Sequence, residues 1–138
     1  MRDLAYEPSL ATGFDDIDEQ HRMFLDMLGE LATRIEQGAH RQGFLDALQG
    51  MRLYAAQHFS DEEALMTQWE YPEYEAHCRL HGTFRTMTEE LEKRAAEGPG
   101  LVSLEMLEFL GQWFIGHIRT EDLRFAAHAK AQREVGGA

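Results

Sequence analysis

The sequence predicts an all-α protein, folded as an antiparallel up-down-up-down four-helix bundle. Two observations support this fold class. The apolar residues recur every three or four positions, as on one face of a helix, and only three prolines interrupt the 138 residues. Breaker sequences divide the chain into four long periodic segments with short connections, which favours an up-down bundle. We predict a single domain over residues 1–138, with an N-terminal arm at 1–15 and a short, flexible C-terminal segment at 129–138.

Each predicted helix has a breaker at its end and a stripe of core residues on one face. The first helix is predicted over 16–37 and ends at Gly38, and the second over 41–69, before Pro72. The third is predicted over 73–96 and ends at the sequence EGPG. The fourth is predicted to start near 101, and its pattern is lost after Arg119. The core stripe of the first helix is Ile17, Phe24, Leu28, Leu31 and Ile35, and that of the second is Phe44, Leu48, Met51, Ala55 and Leu65. The stripe of the third helix is Tyr74, Phe84, Thr88 and Leu91, and that of the fourth is Leu107, Leu110 and Phe114.

The composition argues against several classes of function. Asp and Glu outnumber Lys and Arg by 25 to 13, a net charge of −12, and such a surface repels nucleic-acid phosphates. No apolar run approaches the ~20 residues that cross a bilayer, and the start, MRDLAYEPSLATG, lacks the apolar core of a signal peptide. The single cysteine, Cys78, allows no internal disulfide. We therefore expect a soluble, cytoplasmic monomer with no nucleic-acid partner and no membrane segment.

Polar residues interrupt the apolar stripes of all four helices. Five histidines and one glutamate fall in step with the core residues at spacings of three or four: His21, His58, Glu62, His77, His81 and His117. Charged side chains are rarely buried without a partner. A single buried histidine is most often satisfied by a hydrogen bond, but five in register require another explanation.

The heights of these histidines in the bundle can be compared by counting residues from the far turns. The separations are 17 residues from His21 to Gly38, 18 from His40 to His58, 17 from His81 to Gly98, and 17 from Gly100 to His117. At ~1.5 Å per residue, all four histidines lie about 25 Å from the far turns of an antiparallel bundle. The sequence therefore predicts that they share one level.

A metal site would satisfy this group of buried donors. His58 with Glu62, and His77 with His81, are i, i+4 pairs that can chelate a cation from one helix face. The donors exceed the four that a tetrahedral zinc site uses, so two cations bridged by Glu62 fit better. Imidazole with carboxylate suits iron, but it also admits zinc, copper or nickel.

Four stretches together resemble the hemerythrin family, specifically its single-domain bacterial type. They are GFDDIDEQHRMFLDML, HFSDEEALM, YPEYEAHCRLH and WFIGHIRTED, which combine into the pattern H…HxxxE…HxxxH…HxxxxD. The resemblance covers residues 6–125 and implies a non-haem centre of two iron ions bridged by an oxo or hydroxo group. It also implies that His77, His81 and His117 bind one iron and that His21 and His58 bind the other. Glu62 and Asp122 would be the carboxylates that bridge the two irons.

The resemblance implies that the protein binds dioxygen reversibly, as a carrier or store, and is not an enzyme. Five histidines, two bridging carboxylates and one bridging hydroxide supply eleven of the about twelve bonds that two octahedral irons take. The open position lies on the iron held by His21 and His58. The candidates for the wall of an apolar oxygen pocket are Phe24, Phe59, Trp113, Phe114 and Ile118. For each of them, ordinary core packing explains the residue equally well. Alternative functions are a di-iron oxidase, a nitric-oxide or peroxide reductase, and an iron-handling protein.

The chain departs from the family pattern at three positions. Tyr6 stands where a Trp is usual, and Leu123 where a basic residue is usual. Phe114 stands where a Leu is usual, just before the last histidine, and its bulkier ring would shrink the oxygen pocket or alter its sealing. Reversible binding is therefore more sensitive to these departures than metal binding is.

The segment HIRTED presents a geometric conflict. His117 and Asp122 are five residues apart, about 140° around a regular α-helix, so both cannot face one metal pair on an undistorted helix. Glu121, at i+4, is the natural second carboxylate by helix geometry alone, whereas the family pattern selects Asp122. We follow the family pattern, and so predict a π-type turn, a bend or a helix end between His117 and Asp122.

The remaining candidates are predicted to lie outside the site. His40 belongs to the far turn, and His128 to a solvated C-terminal segment. Cys78 points about 100° away from its neighbour His77 and is expected to be packing. Asp61 and Glu63 follow the ligand face poorly and are expected to be surface charge.

Overall fold

The computed structural model describes residues 4–38 and 43–136, and within those ranges the chain is helical and contains no strand. The main helices are α1 (Asp15–Glu36), α2 (Phe44–Gln68), α3 (Tyr74–Glu97), α4 (Leu104–His117) and α5 (Leu123–Gly136). A π-helical turn at Ile118–Asp122 joins α4 to α5, and short 3₁₀ helices lie at Pro8–Leu10 and Pro99–Leu101. The predicted all-α four-helix bundle is confirmed. His40 lies outside the described residues.

Four helices form the bundle, each in contact with two neighbours. α1 packs against α2 and α4, and α3 packs against the same two helices. This arrangement brings side chains from four separate parts of the sequence to one axis. No helix in the described part of the chain is both long enough and apolar enough to span a bilayer.

Local interactions explain where the helices begin. The first turn of α1 carries Asp15, Asp16 and Asp18, whose charges favour a helix N-terminus. Asp18 also accepts hydrogen bonds from the backbone and side chain of Thr12, both at 2.8 Å, and so attaches the N-terminal arm to α1. α4 begins at Leu104 and not near 101, because the hydroxyl of Ser103 accepts a hydrogen bond from the Met106 backbone at 3.2 Å.

The main core is built from leucines and phenylalanines of the arm and the bundle. Leu4 and Leu10 anchor the arm against the bundle, and Gly111 makes room for it. A Cβ atom at Gly111 would lie 2.4 Å from Leu4 Cδ1 and 2.7 Å from Leu28 Cδ2. The arm therefore crosses α4 where α4 has no side chain.

A second, smaller apolar cluster lies at the other end, around Met66, Tyr71, Phe125 and Ala129. Ala129 is only 1% exposed, so α5 packs against the bundle at least this far. The sequence pattern fades after Arg119 because the π-helical turn shifts the phase of the apolar positions. The flexible C-terminal segment and the single domain remain predictions.

Candidate metal centre

The structure brings together all seven residues that the sequence analysis assigns to the metals. Each of the four bundle helices contributes at least one histidine, and none of the seven is more than 5% exposed. We call this set the donor cluster: His21 from α1, His58 and Glu62 from α2, His77 and His81 from α3, His117 from the end of α4, and Asp122 from the π-helical turn.

The donor cluster divides into two overlapping groups whose ligand atoms lie within 4.8 Å of one another. We call them the three-histidine half and the two-histidine half. The first comprises His77, His81 and His117 with both carboxylates, and the second comprises His21 and His58 with the same two carboxylates. Glu62 and Asp122 therefore belong to both halves.

The two oxygens of Glu62 face different halves. Oε1 lies 2.7 Å from His77 Nε2 and 3.1 Å from His81 Nε2. Oε2 lies 3.7 Å from His58 Nε2 and 3.9 Å from His21 Nε2. One carboxylate group therefore presents one oxygen to each half, which is the arrangement that a bridging ligand needs.

Asp122 repeats this arrangement from the opposite side of the cluster. Its Oδ1 lies 3.0 Å from His77 Nε2 and 3.1 Å from His117 Nε2, and its Oδ2 lies 3.1 Å from His21 Nε2. Donors bound at ~2.1 Å to one cation, at right angles to each other, would stand about 3 Å apart. The spacings of 2.7–3.1 Å around His77, His81, His117 and His21 therefore fit ligands of a common cation, whereas Glu62 Oε2 lies further from its two histidines.

Several donor atoms of this cluster are buried without a hydrogen bond. Among the described residues, no hydrogen bond of good geometry satisfies His21 Nε2, His58 Nε2, His117 Nε2, Glu62 Oε2, Asp122 Oδ1 or Asp122 Oδ2, even where two of these atoms lie 3.1 Å apart. Buried polar groups are nearly always paired, and each unsatisfied group costs about 1–3 kcal/mol. A cation coordinated by these atoms would remove that cost, so the donor set fits a metal site.

The electrostatics of the cluster also favour a cation. Burial, together with the neighbouring histidines, lowers the pKa of His58 well below its ordinary value and that of His81 to about 3. Burial and the charge of Asp122 raise the pKa of Glu62 to about 7. Burial opposes a charge on His77, but the two carboxylates outweigh it and raise its pKa to about 9. Burial opposes ionisation of Asp122, but His117 and the other histidines outweigh it and hold the pKa of Asp122 well below its ordinary value. In the metal-free chain, protons on Glu62 and His77 therefore offset part of the negative charge, and a bound metal would replace them.

The backbone of the segment HIRTED determines which of its two acidic residues, Glu121 or Asp122, faces the donor cluster. Ile118–Asp122 is a π-helical turn, in which the backbone amide of Leu123 donates to the carbonyl of Ile118. The wider turn carries Asp122 round to the face of His117 and leaves it 1% exposed, whereas Glu121 points outward to Arg124 at 3.8 Å. The predicted departure from α-helical geometry is confirmed.

Two acidic residues that were expected to be surface charge instead support histidines of the donor cluster, so that expectation was wrong. Glu63 Oε2 accepts a hydrogen bond from His81 Nδ1 at 2.8 Å. Asp61 Oδ2 accepts one from Gln20 Nε2 at 2.7 Å, and Gln20 Oε1 accepts one from His58 Nδ1 at 2.8 Å. Each of these residues is adjacent to, or three away from, a ligand in sequence. The apolar stripe misses them because they point toward a neighbouring helix and not toward the bundle axis.

Aromatic side chains surround the donor cluster on the side of the main core. Phe59 stacks on His81 at 4.1 Å between ring centres, and Trp113 stacks on His117 at 5.1 Å. Phe114 lies edge-on to His21 at 5.6 Å and at 6.0 Å from His58. The Phe59 ring also lies 5.5 Å from that of His58, so Phe114 and Phe59 together border the two-histidine half.

The other proposed pocket residues lie in or beside the same core. Phe24 is fully buried, with its ring 4.2 Å from that of Phe114. Ile118 is also fully buried, and Trp113 is half-buried. Their role in an oxygen pocket remains a prediction.

Two further residues lie outside the cluster. His128 was expected to be solvated, which is wrong: it is half-buried, and its Nε2 lies 2.8 Å from the Trp69 carbonyl oxygen, within hydrogen-bonding distance. Cys78 packs against the smaller apolar cluster, and burial raises the pKa of its thiol.

Fold and site together define a four-helix bundle that holds a buried metal centre of histidines and carboxylates. Residues 12–129 match the family model described as the hemerythrin HHE cation-binding domain. The chain therefore belongs to the hemerythrin family.

Individual relatives extend over most of the chain. It is 32% identical to a bacteriohemerythrin of Stenotrophomonas maltophilia over 128 residues, which cover 93% of this chain and 82% of that protein. It is 30% identical to a bacteriohemerythrin of Pseudomonas aeruginosa, with 88% and 78% covered. A hemerythrin subunit alpha of Lingula anatina is 28% identical, with 88% and 92% covered.

Proposed function

We propose that the protein holds two iron ions in the donor cluster and binds dioxygen reversibly. The observation that carries this proposal is the division of the cluster into two halves that share both carboxylates. Histidine with carboxylate is a donor set that suits iron. Membership of the hemerythrin family supports the choice of iron over zinc, copper or nickel.

Each residue of the cluster has a role in this proposal. His77, His81 and His117 would hold one iron, His21 and His58 the other, and both carboxylates would bridge them. With a shared oxo or hydroxo group, the three-histidine half reaches six donors and the two-histidine half five. When bound, the iron pair supplies one open coordination position and the electrons that dioxygen binding requires. That position would lie in the two-histidine half, which Phe59 and Phe114 border.

The surrounding side chains control access and water. Phe59 and Phe114 are fully buried beside the two-histidine half, and Phe24 is fully buried against Phe114. None of the three offers a hydrogen-bonding group. A dry, apolar wall of this kind excludes water and protons from the ligand. A ligand that receives no further proton leaves unchanged, which is the requirement for a carrier.

An enzymatic role as a di-iron oxidase, or as a nitric-oxide or peroxide reductase, is the second candidate. One observation favours it: Trp113 is half-buried and stacks on His117, so it would offer electrons a route between the surface and the cluster. The donor set favours the carrier, because ferritin-like oxidases use paired Glu-x-x-His motifs and more carboxylates. The chain contains no Glu-x-x-His sequence. An iron-handling role would require metal release from a cluster that is almost fully buried.

The two functions are separated by exposing the reduced, iron-loaded protein to dioxygen and then removing the gas. For a carrier, the visible absorption changes on exposure and returns under vacuum over repeated cycles. A single, irreversible change to the ferric spectrum would contradict reversible binding and favour the oxidase or reductase.

A further inference from the structure

The two halves of the centre differ in the groups that hold their histidines from outside. In the three-histidine half, His81 Nδ1 lies 2.8 Å from a carboxylate oxygen of Glu63. In the two-histidine half, His58 Nδ1 lies 2.8 Å from the amide oxygen of Gln20. One half therefore has a charged outer partner in direct contact, and the other has a neutral one.

The direction of both hydrogen bonds follows from the chemistry of the partners. The amide nitrogen of Gln20 donates to Asp61 at 2.7 Å, so its carbonyl oxygen faces His58 and accepts. An ionised Glu63 can only accept. Both His58 and His81 therefore carry their proton on Nδ1, which leaves the lone pair of Nε2 directed into the donor cluster.

The remaining three histidines lack such support. Nδ1 of His21, His77 and His117 has no hydrogen-bond partner among the described residues. One histidine in each half is thus fixed in tautomer and orientation. His81 is further restrained by the ring of Phe59, which stacks on it at an interplanar angle of 16°.

The outer charges are also placed unequally. Glu63 contacts His81 directly, with Arg85 at 3.6 Å offsetting part of its charge. On the side of His58, the carboxylate of Asp61 is separated from the imidazole by the amide group of Gln20. A histidine that donates to a carboxylate becomes a stronger metal ligand than one that donates to a neutral group.

We propose that Glu63 and Gln20 are positioning residues that give the two halves unequal strength, with the three-histidine half binding its cation more tightly. The half with the open coordination position is then the weaker one. This inference rests on the two-cation centre of the proposed function and not on dioxygen binding. It predicts that a metal-free chain loads the three-histidine half first.

The test moves the outer charge while keeping the shape of each contact. Glu63→Gln removes the carboxylate from His81. Gln20→Glu combined with Asp61→Asn exchanges amide and carboxylate beside His58 and leaves the net charge unchanged. Each metal-free variant is titrated with Co²⁺ alone, and the two binding steps are followed by visible absorption. Glu75→Gln, at a side chain that is 87% exposed, is the control for the loss of one charge.

The expected responses have opposite signs. Glu63→Gln weakens the tighter step by about 10–100-fold, the usual cost of an altered outer partner. The charge-neutral exchange at Gln20 and Asp61 strengthens the weaker step, and Glu75→Gln changes neither. Arg85→Gln leaves Glu63 in place without its counter-charge and should strengthen the tighter binding step. This variant replaces Glu63→Gln in the test if Glu63→Gln does not fold.

Two outcomes would overturn the inference. If Glu63→Gln and the exchange at Gln20 and Asp61 both weaken binding, the contacts only hold the rings and do not set their strength. If neither variant differs from Glu75→Gln, the outer partners have no role. A chain with unaltered sequence that binds one Co²⁺ refutes the proposed two-metal centre itself, so the two failures are distinguishable.

Discussion

The two ends of the bundle follow the same helical periodicity but are stabilised differently. At one end, which we call the apolar end, the buried side chains are hydrocarbon or thioether groups, apart from Thr88, whose hydroxyl donates to the Arg85 carbonyl. The apolar ones are Leu28, Leu31, Phe44, Leu48, Met51, Leu91, Leu107 and Leu110. At the other end, seven of the buried positions are the histidines and carboxylates of the donor cluster. Burial of each large apolar side chain contributes about 1.5–3 kcal/mol. Burial of polar groups without hydrogen-bond partners instead lowers the stability of the fold.

This difference indicates a division of labour along the bundle. The apolar end and the smaller cluster beyond the donors supply the stability that keeps the polar level buried. The donor cluster becomes stabilising only when a cation binds it. We therefore expect the metal-free protein to remain folded but to be least stable around the cluster.

The largest effect is expected from removing a ligand. His77→Ala deletes a side chain that lies within 2.7–3.0 Å of both carboxylates, so the chain should lose metal and the stability that metal binding adds. A cation present at a thousand times its dissociation constant contributes about 4 kcal/mol. Urea unfolding, with and without a chelator, and elemental analysis measure both losses.

Leu107→Ala at the apolar end is the matched comparison. It should lower the free energy of unfolding by about 2–5 kcal/mol, because it leaves a cavity in the main core, while the metal content stays unchanged. The deficit of Leu107→Ala should persist after chelation, whereas that of His77→Ala should largely disappear. Equal behaviour of the two variants would contradict the division of labour.

Acid should weaken the donor cluster but not the apolar end. The pKa of Glu62 is about 7 and that of His77 about 9 in the metal-free chain, so a cation must displace protons below these values. The apparent metal affinity should therefore rise as the pH increases from about 6 to about 9. Metal titrations across this range test the effect, and an affinity independent of pH would show that these groups do not bind the metal.

A smaller effect is expected where the arm crosses α4. Gly111→Ala places a methyl group against Leu4 and Leu28, which must shift. Such overpacking costs about 1–3 kcal/mol. Gly116→Ala is the control, because a Cβ atom there meets nothing within 4 Å. Thermal unfolding of the two variants should differ while both retain metal, and equal stability would mean that the arm does not pack there in solution.

The smallest change in stability, but a measurable change in ligand exchange, is expected at Phe114. Phe114→Leu keeps an apolar side chain and opens space over His21 and His58. Dioxygen should dissociate faster, and the ferric form should accumulate sooner because water enters more easily. Stopped-flow absorption measures the first effect, and unchanged rates would show that Phe114 does not cover the ligand position.

Much of this arrangement could be predicted from sequence because it depends on periodicity and length. The bundle follows from apolar spacing, and the common level of His21, His58, His81 and His117 follows from counting residues along helices of fixed rise. The choice between Glu121 and Asp122 could not be made from helix geometry, since the π-helical turn is a backbone distortion with no composition signal. It required the family pattern.

The outer contacts were missed for a different reason. Glu63 and Gln20 point between neighbouring helices, so their importance depends on how α1, α2 and α3 face one another. A helical wheel of one segment distinguishes core from surface, but it does not identify which residues meet across a helix interface. Hydrogen bonds such as that from His81 to Glu63 become visible only in three dimensions.

The proposed function requires one buried cluster to hold two metal ions through shared carboxylates. The most direct test is an anaerobic titration of the metal-free chain with ferrous iron, followed by elemental analysis of the purified protein. Two irons per chain are expected in the unaltered sequence, and fewer than two in Glu62→Ala, which lacks one bridging carboxylate. A single bound metal per chain, with no second site at saturating iron, would contradict the account.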